Sequence, residues 1–314
     1  MSGGDDGGVA VVGGGVIGSI FAAHLARVAD VAVLCRREDH AAALEREGLR
    51  VTGKHEFAVA VHAATSPAAL GEPWLTIVAT KATGLEGAAG SLRGHWPRTT
   101  VMTVQNGLGA EEVVRRHGEW PLLSAVTFVS GTKHADTHVE YILDTETWIG
   151  PYERTTLAVA ERAGRLFDQG GLKVEVLPDL KPAQWSKLIF NATVNGVAAL
   201  TGLRHDFHFA AEDEEADLGH LVHGLIDEGK RIAHAAGIEL HDDPWEMNVL
   251  ATRRGSAHYP SMLEDVDSRR PTEVELINGA LVRKAREHGV EAPLHTALYR
   301  LVKAREASYV DVPA

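Results

Sequence analysis

Three polar residues on one side of a predicted helix have the types and spacing to do chemistry. Lys187, Asn191 and Asn195 stand four residues apart in a mostly apolar segment, so a helix would align them on one face. A helix that is apolar almost all round tends to be buried, and burial lowers the pKa of a lysine until it can donate a proton near neutral pH. The residues alone leave a second interpretation open, in which Lys187 reaches water and the asparagines bond neighbouring backbone.

A carboxylate further along the chain is the second chemical candidate. Pro271 is followed by Thr272, Glu273 and, after Val274, Glu275. Thr272 and Glu275 match a capping box, which predicts that a helix begins here and gives both residues a structural role. Glu273 could favour the helix dipole, or it could be a carboxylate aimed into a cleft between two domains. Both roles stay open.

A glycine-rich loop near the amino end predicts a dinucleotide site. The loop follows an apolar run at residues 9–12 and opens a helical pattern. Glycines there permit a tight turn and a close approach of the backbone to a pyrophosphate, which the amino end of the helix attracts. The predicted cofactor-binding residues are Gly13, Gly14, Gly15, Val16, Ile17 and Gly18.

The end of the second predicted strand indicates which dinucleotide binds. An NAD site would place an acidic residue there to hold the ribose hydroxyls, but this chain has Cys35 followed by Arg36 and Arg37. A guanidinium binds a 2′-phosphate through paired hydrogen bonds, whereas a carboxylate would repel it. We therefore expect NADPH, with Arg36 as the contact because it directly follows the strand.

The elements that must position these residues fall into two groups. Apolar strand-like runs alternate with helical patterns through the first half, which predicts a parallel sheet of Rossmann type covered by helices on both faces. The runs at residues 139–143 and 147–149 predict added edge strands. Past Pro178 the periodicity becomes helical. The expected domains are a nucleotide-binding domain at residues 1–178 and an all-helical substrate domain at residues 179–314.

Composition narrows the function classes. The 314 residues carry a formal net charge of −12, which disfavours broad binding to nucleic acid or to an anionic membrane. One cysteine allows neither an intrachain disulfide nor a cysteine-based zinc site. The first eight residues lack the apolar core of a secretory signal. We expect a cytoplasmic protein without a metal, although His205-x-x-His208 and His220-x-x-His223 could each offer two ligands.

Taken together, the motifs resemble those of the ketopantoate reductase (2-dehydropantoate 2-reductase) family over nearly the whole chain. The matching elements are Gly13-x-Gly15-x-x-Gly18, Thr80-Lys81-Ala82, Gln105-Asn106-Gly107, Trp185-x-Lys187-Leu188-x-x-Asn191, Ser261-Met262-Leu263-x-Asp265 and Arg270-Pro271-Thr272-Glu273-x-x-x-Ile277-Asn278-Gly279.

The resemblance implies a reaction and a role for each matched residue. Lys187 would protonate a ketone oxygen as hydride arrives from NADPH, and Glu273 would bind a substrate hydroxyl and orient Lys187. Asn191, Asn195 and Ser261 would hold the substrate carboxylate and hydroxyl. Lys81 and Asn106 would lie on the cofactor side, near the nicotinamide ribose and the reacting centre, with Glu273 close to both cofactor and substrate.

The substrate position at His258 departs from the family pattern, since well-studied members place an asparagine there. Pro260 replaces a common serine, and Thr83-Gly84 stand where an aromatic and a polar residue often follow the lysine. The partner implied is a small 2-oxo acid, ketopantoate in the pathway to pantothenate and coenzyme A. A reductase of another 2-oxo acid or imine, and a non-catalytic NADPH sensor, stay open as alternatives. Assembly as a homodimer also stays open.

Overall fold

The computed structural model describes residues 7–213, 215–253 and 259–309. Their contacts divide the chain into two compact units. The first comprises Met1–Gln105 and Ala110–Leu180, and the second comprises Asn106–Gly109 and Lys181–Ala314. The short segment Asn106–Gly109 thus lies within the first half of the sequence but belongs to the second unit.

An eight-stranded sheet forms the centre of the first unit, in the order β12-β11-β8-β7-β6-β1-β2-β5. Its strands are parallel except that β11 runs antiparallel to β8. Their bounds are β1 Val9–Val12, β2 Val31–Leu34, β5 His62–Ala64, β6 Leu75–Val78, β7 Thr100–Thr103, β8 Leu122–Thr127, β11 Thr147–Tyr152 and β12 Val174–Val176.

A separate four-stranded sheet was not predicted. It has the order β4-β3-β10-β9, with bounds β3 Leu49–Gly53, β4 Phe57–Val59, β9 Ser130–Ala135 and β10 His138–Leu143. Residues 139–143 and 147–149 form strands, as expected, but the expectation that these are edge strands was wrong. The first run lies inside the second sheet, and β11 is covered at the outer side by β12. The four-stranded sheet depends on the pairing of β10 with β3, which joins residues far apart in sequence and which a local pattern does not encode.

Helices cover both faces of the large sheet because β1 is apolar on both of its sides. Val9 and Val11 pack in the same buried cluster as Ile20 and Phe21, whereas Ala10 and Val12 pack with Leu85 and Leu92. Alternate side chains of a strand point to opposite faces, and a strand buried on both is typical of a parallel sheet. The helices are α1 Val16–Leu25, α2 Glu38–Glu47, α3 Ala82–Leu92, α4 Ala110–Arg115 and α5 Leu157–Gln169.

Helices also build the second unit, with α6 at its centre. This helix contacts every other helix of the unit, and its apolar side chains, such as Leu188 and Ile189, are almost fully buried. The bounds are α6 Lys181–Thr201, α7 Asp217–Ala235, α8 Pro244–Arg253, α9 Ser261–Asp267, α10 Asn278–Glu287 and α11 Pro293–Ala307. In the part of the chain that is described, no helix is long and apolar enough to cross a membrane.

Candidate active site

The three polar residues on α6 are buried. Lys187 keeps 9% of its surface exposed, and Asn191 and Asn195 keep 8% and 6%. They lie on the same helix at the predicted spacing. The other faces of the helix pack on neighbouring helices, so most of the helix is buried. The ammonium of Lys187 therefore sits among side chains rather than extending freely into water.

The segment Asn106–Gly109 brings a polar side chain to this lysine. Gly107 has a φ of +98°, and the backbone N–H of Leu108 donates to the carbonyl of Leu276 over 2.9 Å. A Cβ added at Gly107 would lie 1.9 Å from that same carbonyl oxygen. Both the backbone conformation and the close approach thus require glycine at this position.

Asn106 joins the lysine to the carboxylate. Lys187 Nζ donates to Asn106 Oδ1 over 2.8 Å, and Asn191 Nδ2 approaches the same oxygen at 3.5 Å. Asn106 Nδ2 in turn donates to Glu273 Oε2 over 3.1 Å. The two bonds fix the orientation of the amide, since its oxygen faces an ammonium and its nitrogen faces a carboxylate. Four residues from three distant parts of the chain thereby form one network, which we call the lysine cluster: Asn106, Lys187, Asn191 and Glu273.

Burial determines the protonation behaviour of this cluster. Removal from water disfavours the charged ammonium and lowers the pKa of Lys187 to about 8, although the nearby Glu273 carboxylate acts in the opposite direction. A group with this pKa is protonated at neutral pH and releases its proton far more readily than an exposed lysine does. The cluster can therefore act as a general acid.

The predicted capping box at Thr272 is wrong. Residues 274–277 form turns, and α10 begins only at Asn278. The Thr272 hydroxyl bonds Glu306 Oε1 at 2.7 Å and accepts from the N–H of Val274, while Glu275 accepts from the Tyr299 hydroxyl at 3.0 Å. The carboxylate of Glu306, far along the chain, takes the place that the local pattern assigned to Glu275.

Of the two further predicted substrate residues, Ser261 and His258, the structure describes only Ser261. Ser261 is exposed at the start of α9. His258 lies outside the described residues.

The glycine loop of the first unit forms a turn that leaves room for a ligand. Gly13 has a φ of +106°. A Cβ on Gly18 would lie 1.9 Å from the Gly13 oxygen, and one on Gly14 would lie 2.6 Å from His40 Cε1, but one on Gly15 would meet nothing within 4 Å. Gly15 is the N-cap of α1, whose first turn carries no acidic side chain. The open side at Gly15, next to free backbone N–H groups at a helix amino end, fits a pyrophosphate.

The two arginines after β2 have different surroundings. Arg37 pairs with Asp39 at 3.0 Å and also with Asp136. Arg36 is exposed and forms no hydrogen bond or ion pair with the residues that are described. The charge of Arg37 is thus largely compensated within the protein, whereas that of Arg36 is available to a ligand.

Lys81 lies near the same edge of the large sheet. It is exposed and forms the N-cap of α3, shortly after the carboxyl end of β6. Gln105 Nε2 donates to the carbonyls of Val78 and Thr80 at 2.8 and 2.9 Å, which fixes the chain just before Lys81. Gly13 follows the neighbouring strand β1, and ligands of open parallel sheets bind at this carboxyl edge.

The histidine pairs considered as metal ligands do not form a cluster. His205 is buried and its Nε2 pairs with Asn248 Oδ1 at 2.9 Å. Among the described residues, no group of three histidine, cysteine or acidic side chains could hold a metal ion.

Two family models match almost the whole chain. The description "Ketopantoate reductase PanE/ApbA" matches residues 9–154, and "Ketopantoate reductase PanE/ApbA C terminal" matches residues 179–306. The chain belongs to the ketopantoate reductase family. The resemblance seen in its motifs is confirmed, as are the Rossmann-type first domain and the helical second one, and the protein is an oxidoreductase with a dinucleotide-binding fold.

Relatives in this family match over their full length. A 2-dehydropantoate 2-reductase of Pyrococcus horikoshii is 30% identical over 95% of this chain and 97% of the relative. A ketopantoate reductase structure from Ralstonia eutropha has a TM-score of 0.85 at 25% identity, covering 96% of this chain and 99% of the other. A D-mandelate dehydrogenase with NADH and anilino(oxo)acetate has a TM-score of 0.84 at 22% identity, covering 96% and 99%, which shows a shared fold.

The structure adds contacts around the glycine loop and the lysine cluster that the sequence did not predict. Asn106 was expected to contact substrate and cofactor near the reacting centre, and its hydrogen bonds are to Lys187 and Glu273 of the second unit. His40 and Lys133 contact the glycine loop, and Asp136 contacts His40; none of the three was singled out. No motif marks them, because His40 lies in the first turn of α2, Lys133 lies on β9 of the unpredicted four-stranded sheet, and Asp136 lies in the turn after β9.

Proposed function

We propose that this protein reduces ketopantoate (2-dehydropantoate) to pantoate with NADPH, and that Lys187 is the general acid. The observation that carries the proposal is the buried ammonium of Lys187, bonded to an asparagine that itself bonds Glu273. A non-catalytic sensor of NADPH would have no use for such a proton donor. Family membership and the full-length relatives that are named for this reaction support the same activity.

The chemistry requires a proton donor where negative charge develops. When bound, the nicotinamide cofactor supplies a hydride to the ketone carbon. Lys187 Nζ gives its proton to the ketone oxygen, which becomes the new hydroxyl, and the neutral amine then regains a proton from water. A buried donor stabilises the developing oxyanion more strongly than water would, since the surrounding dielectric is low.

The neighbours of Lys187 would position both the donor and the substrate. Asn106 holds the ammonium through its oxygen and Glu273 through its nitrogen, and Glu273 would bind a substrate hydroxyl. Asn191, Asn195 and Ser261 would bind the remaining polar groups of the substrate. For the cofactor, residues 13–18 and Lys81 would hold the dinucleotide, and Arg36 would bind the 2′-phosphate.

A second candidate function is the reduction of a different 2-oxo acid with the same residues. It is favoured by His258, which replaces a substrate-contacting asparagine of well-studied members. A structure named as a D-mandelate dehydrogenase shares this fold, which supports testing a 2-oxo acid other than ketopantoate.

A comparison of kcat/KM between substrates distinguishes the two candidate functions. A site built to bond a hydroxyl rejects an analogue that lacks it, because its own polar group is left unpaired. We expect kcat/KM to fall by about 10²-fold or more from ketopantoate to 2-oxoisovalerate, measured as loss of NADPH absorbance. Equal efficiency with 2-oxoisovalerate, or higher efficiency with benzoylformate, would assign the protein to the second candidate.

A further inference from the structure

A cation from the second sheet contacts the glycine loop. Lys133 lies on β9, and its ammonium donates a hydrogen bond to the carbonyl oxygen of Gly14. The Ser19 hydroxyl donates to the same oxygen at 3.3 Å. Two side chains therefore hold one peptide carbonyl of the loop, and the stronger donor comes from more than a hundred residues away in the sequence.

The position of Lys133 is fixed from several sides. Its Nζ lies 3.2 Å from His40 Nε2, and the His40 ring packs against the Cα of Gly14 so closely that only glycine fits there. Burial lowers the pKa of both Lys133 and His40. Asp136, which pairs with Arg37, faces the same ring with its Oδ1 3.8 Å from His40 Nδ1. The ammonium thus lies between the imidazole of His40 and the loop carbonyl.

The consequence follows from the planarity of the peptide unit. In a trans peptide the carbonyl oxygen and the next N–H point in opposite directions. When Lys133 and Ser19 hold the Gly14 oxygen on their side, the N–H of Gly15 is aimed at the other side. Gly15 is the N-cap of α1 and the open position of the loop, so that N–H faces the space where an anion can bind.

We propose that Lys133 is a positioning residue for the dinucleotide, acting through the Gly14–Gly15 peptide rather than through contact with the 2′-phosphate. This inference rests on the proposed dinucleotide-binding role of the loop. It assigns the two cations different tasks: Arg36 distinguishes NADPH from NADH, whereas Lys133 sets the affinity for both.

Binding measurements test this assignment without turnover. Dissociation constants for NADPH, NADH and ADP-ribose are measured by calorimetry for wild type and for Lys133→Met, which keeps a long unbranched side chain and removes its donor. We expect all three ligands to bind about tenfold more weakly, by the same factor, since all carry the pyrophosphate. Lys133→Arg, which can still donate to the carbonyl, should recover most of the affinity.

Two further variants separate positioning from general damage. Lys54→Met removes an exposed lysine from the end of the same sheet and should leave every dissociation constant unchanged. Ser19→Ala removes the weaker donor to the Gly14 oxygen and should weaken NADPH and NADH equally, by about twofold to threefold. Ser19→Ala keeps the inference testable even if Lys133→Met does not fold.

Three results would overturn the inference. Unchanged affinities in Lys133→Met, or in Ser19→Ala should the first variant not fold, would show that the peptide needs no such support. A loss confined to NADPH would show that Lys133 contacts the 2′-phosphate directly. If the wild-type protein binds none of the three ligands, the proposed function fails and this inference fails with it.

Discussion

The glycine loop of the first unit and the lysine cluster of the second are built in different ways. The loop presents backbone groups of consecutive residues, Gly13 to Gly18, at the amino end of α1. The lysine cluster presents side chains of Asn106, Lys187, Asn191 and Glu273, which come from three separate segments. Backbone geometry suits an invariant diphosphate, whereas converging side chains can hold a proton donor and be altered one at a time for a new substrate.

The largest expected effect is at the proton donor. Lys187→Ala should lower kcat by about 10²–10⁴-fold, because the ketone oxygen would have to take its proton from water. The affinity for NADPH should stay the same, since the glycine loop is untouched. Steady-state kinetics and calorimetry measure the two quantities. Turnover near that of wild type would show that another acid does the work.

The next effect concerns the choice of cofactor. Arg36→Ala should reduce the preference for NADPH over NADH by about 10- to 100-fold, which corresponds to the free energy of one charge-assisted contact. Arg37→Ala is the matched control and should change the ratio little, because Asp39 and Asp136 already pair with that guanidinium. Ratios of kcat/KM for the two cofactors measure both. A wild-type enzyme that uses NADH equally well would contradict the assignment of Arg36.

A smaller effect should follow from the glycine beside Asn106. In Gly107→Ala, the new Cβ would press on the Leu276 carbonyl and move Asn106 away from Lys187, so we expect kcat to fall about tenfold. Gly237→Ala is the control, since its φ is also positive at +71° but its added Cβ would meet nothing within 4 Å. Gly237→Ala should lose about 1 kcal/mol of stability through backbone strain, and Gly107→Ala should lose more, because the clash with the Leu276 carbonyl adds to that strain. Equal kcat values in the two would remove the positioning role of Gly107.

The pH dependence of kcat tests the role of Lys187 without any substitution. Burial lowers the pKa of Lys187 to about 8, and the general acid must carry its proton, so kcat should be constant below that pKa. Above it, kcat should fall about tenfold per pH unit as the ammonium deprotonates. The residual activity of Lys187→Arg should lack this decline, because a guanidinium keeps its proton. A wild-type kcat that stays level up to about pH 9.5 would show that Lys187 does not limit the reaction.

Much of the architecture was predictable because it is encoded locally. The glycine loop between a buried strand and a helix, the alternation of strands and helices, and the change to helical periodicity past Pro178 each occupy a short stretch of sequence. Periodic patterns of this kind report which face of an element is buried. They predicted the two-part fold that the structure and the family membership confirm.

The four-stranded sheet and the start of α10 could not be predicted in the same way. The pairing of β10 with β3 joins residues far apart in sequence, and no turn signal announces it. At Thr272 a local capping pattern was overruled by Glu306, a residue that packing brings close. Where a distant charged partner is available, it can replace the local hydrogen bond on which the sequence pattern relies.

The sequence by itself determined the residue types, namely a lysine and two asparagines at helical spacing, a glycine loop, and arginine in place of an acidic residue after β2. Only the tertiary structure decided that Asn106 bridges Lys187 and Glu273, and that Lys133 of the second sheet holds the Gly14 carbonyl. The physical reason is the distance along the sequence over which each kind of interaction acts. Helical spacing and turn chemistry act over a few residues, whereas burial and hydrogen bonding depend on which distant segments the folded chain brings together.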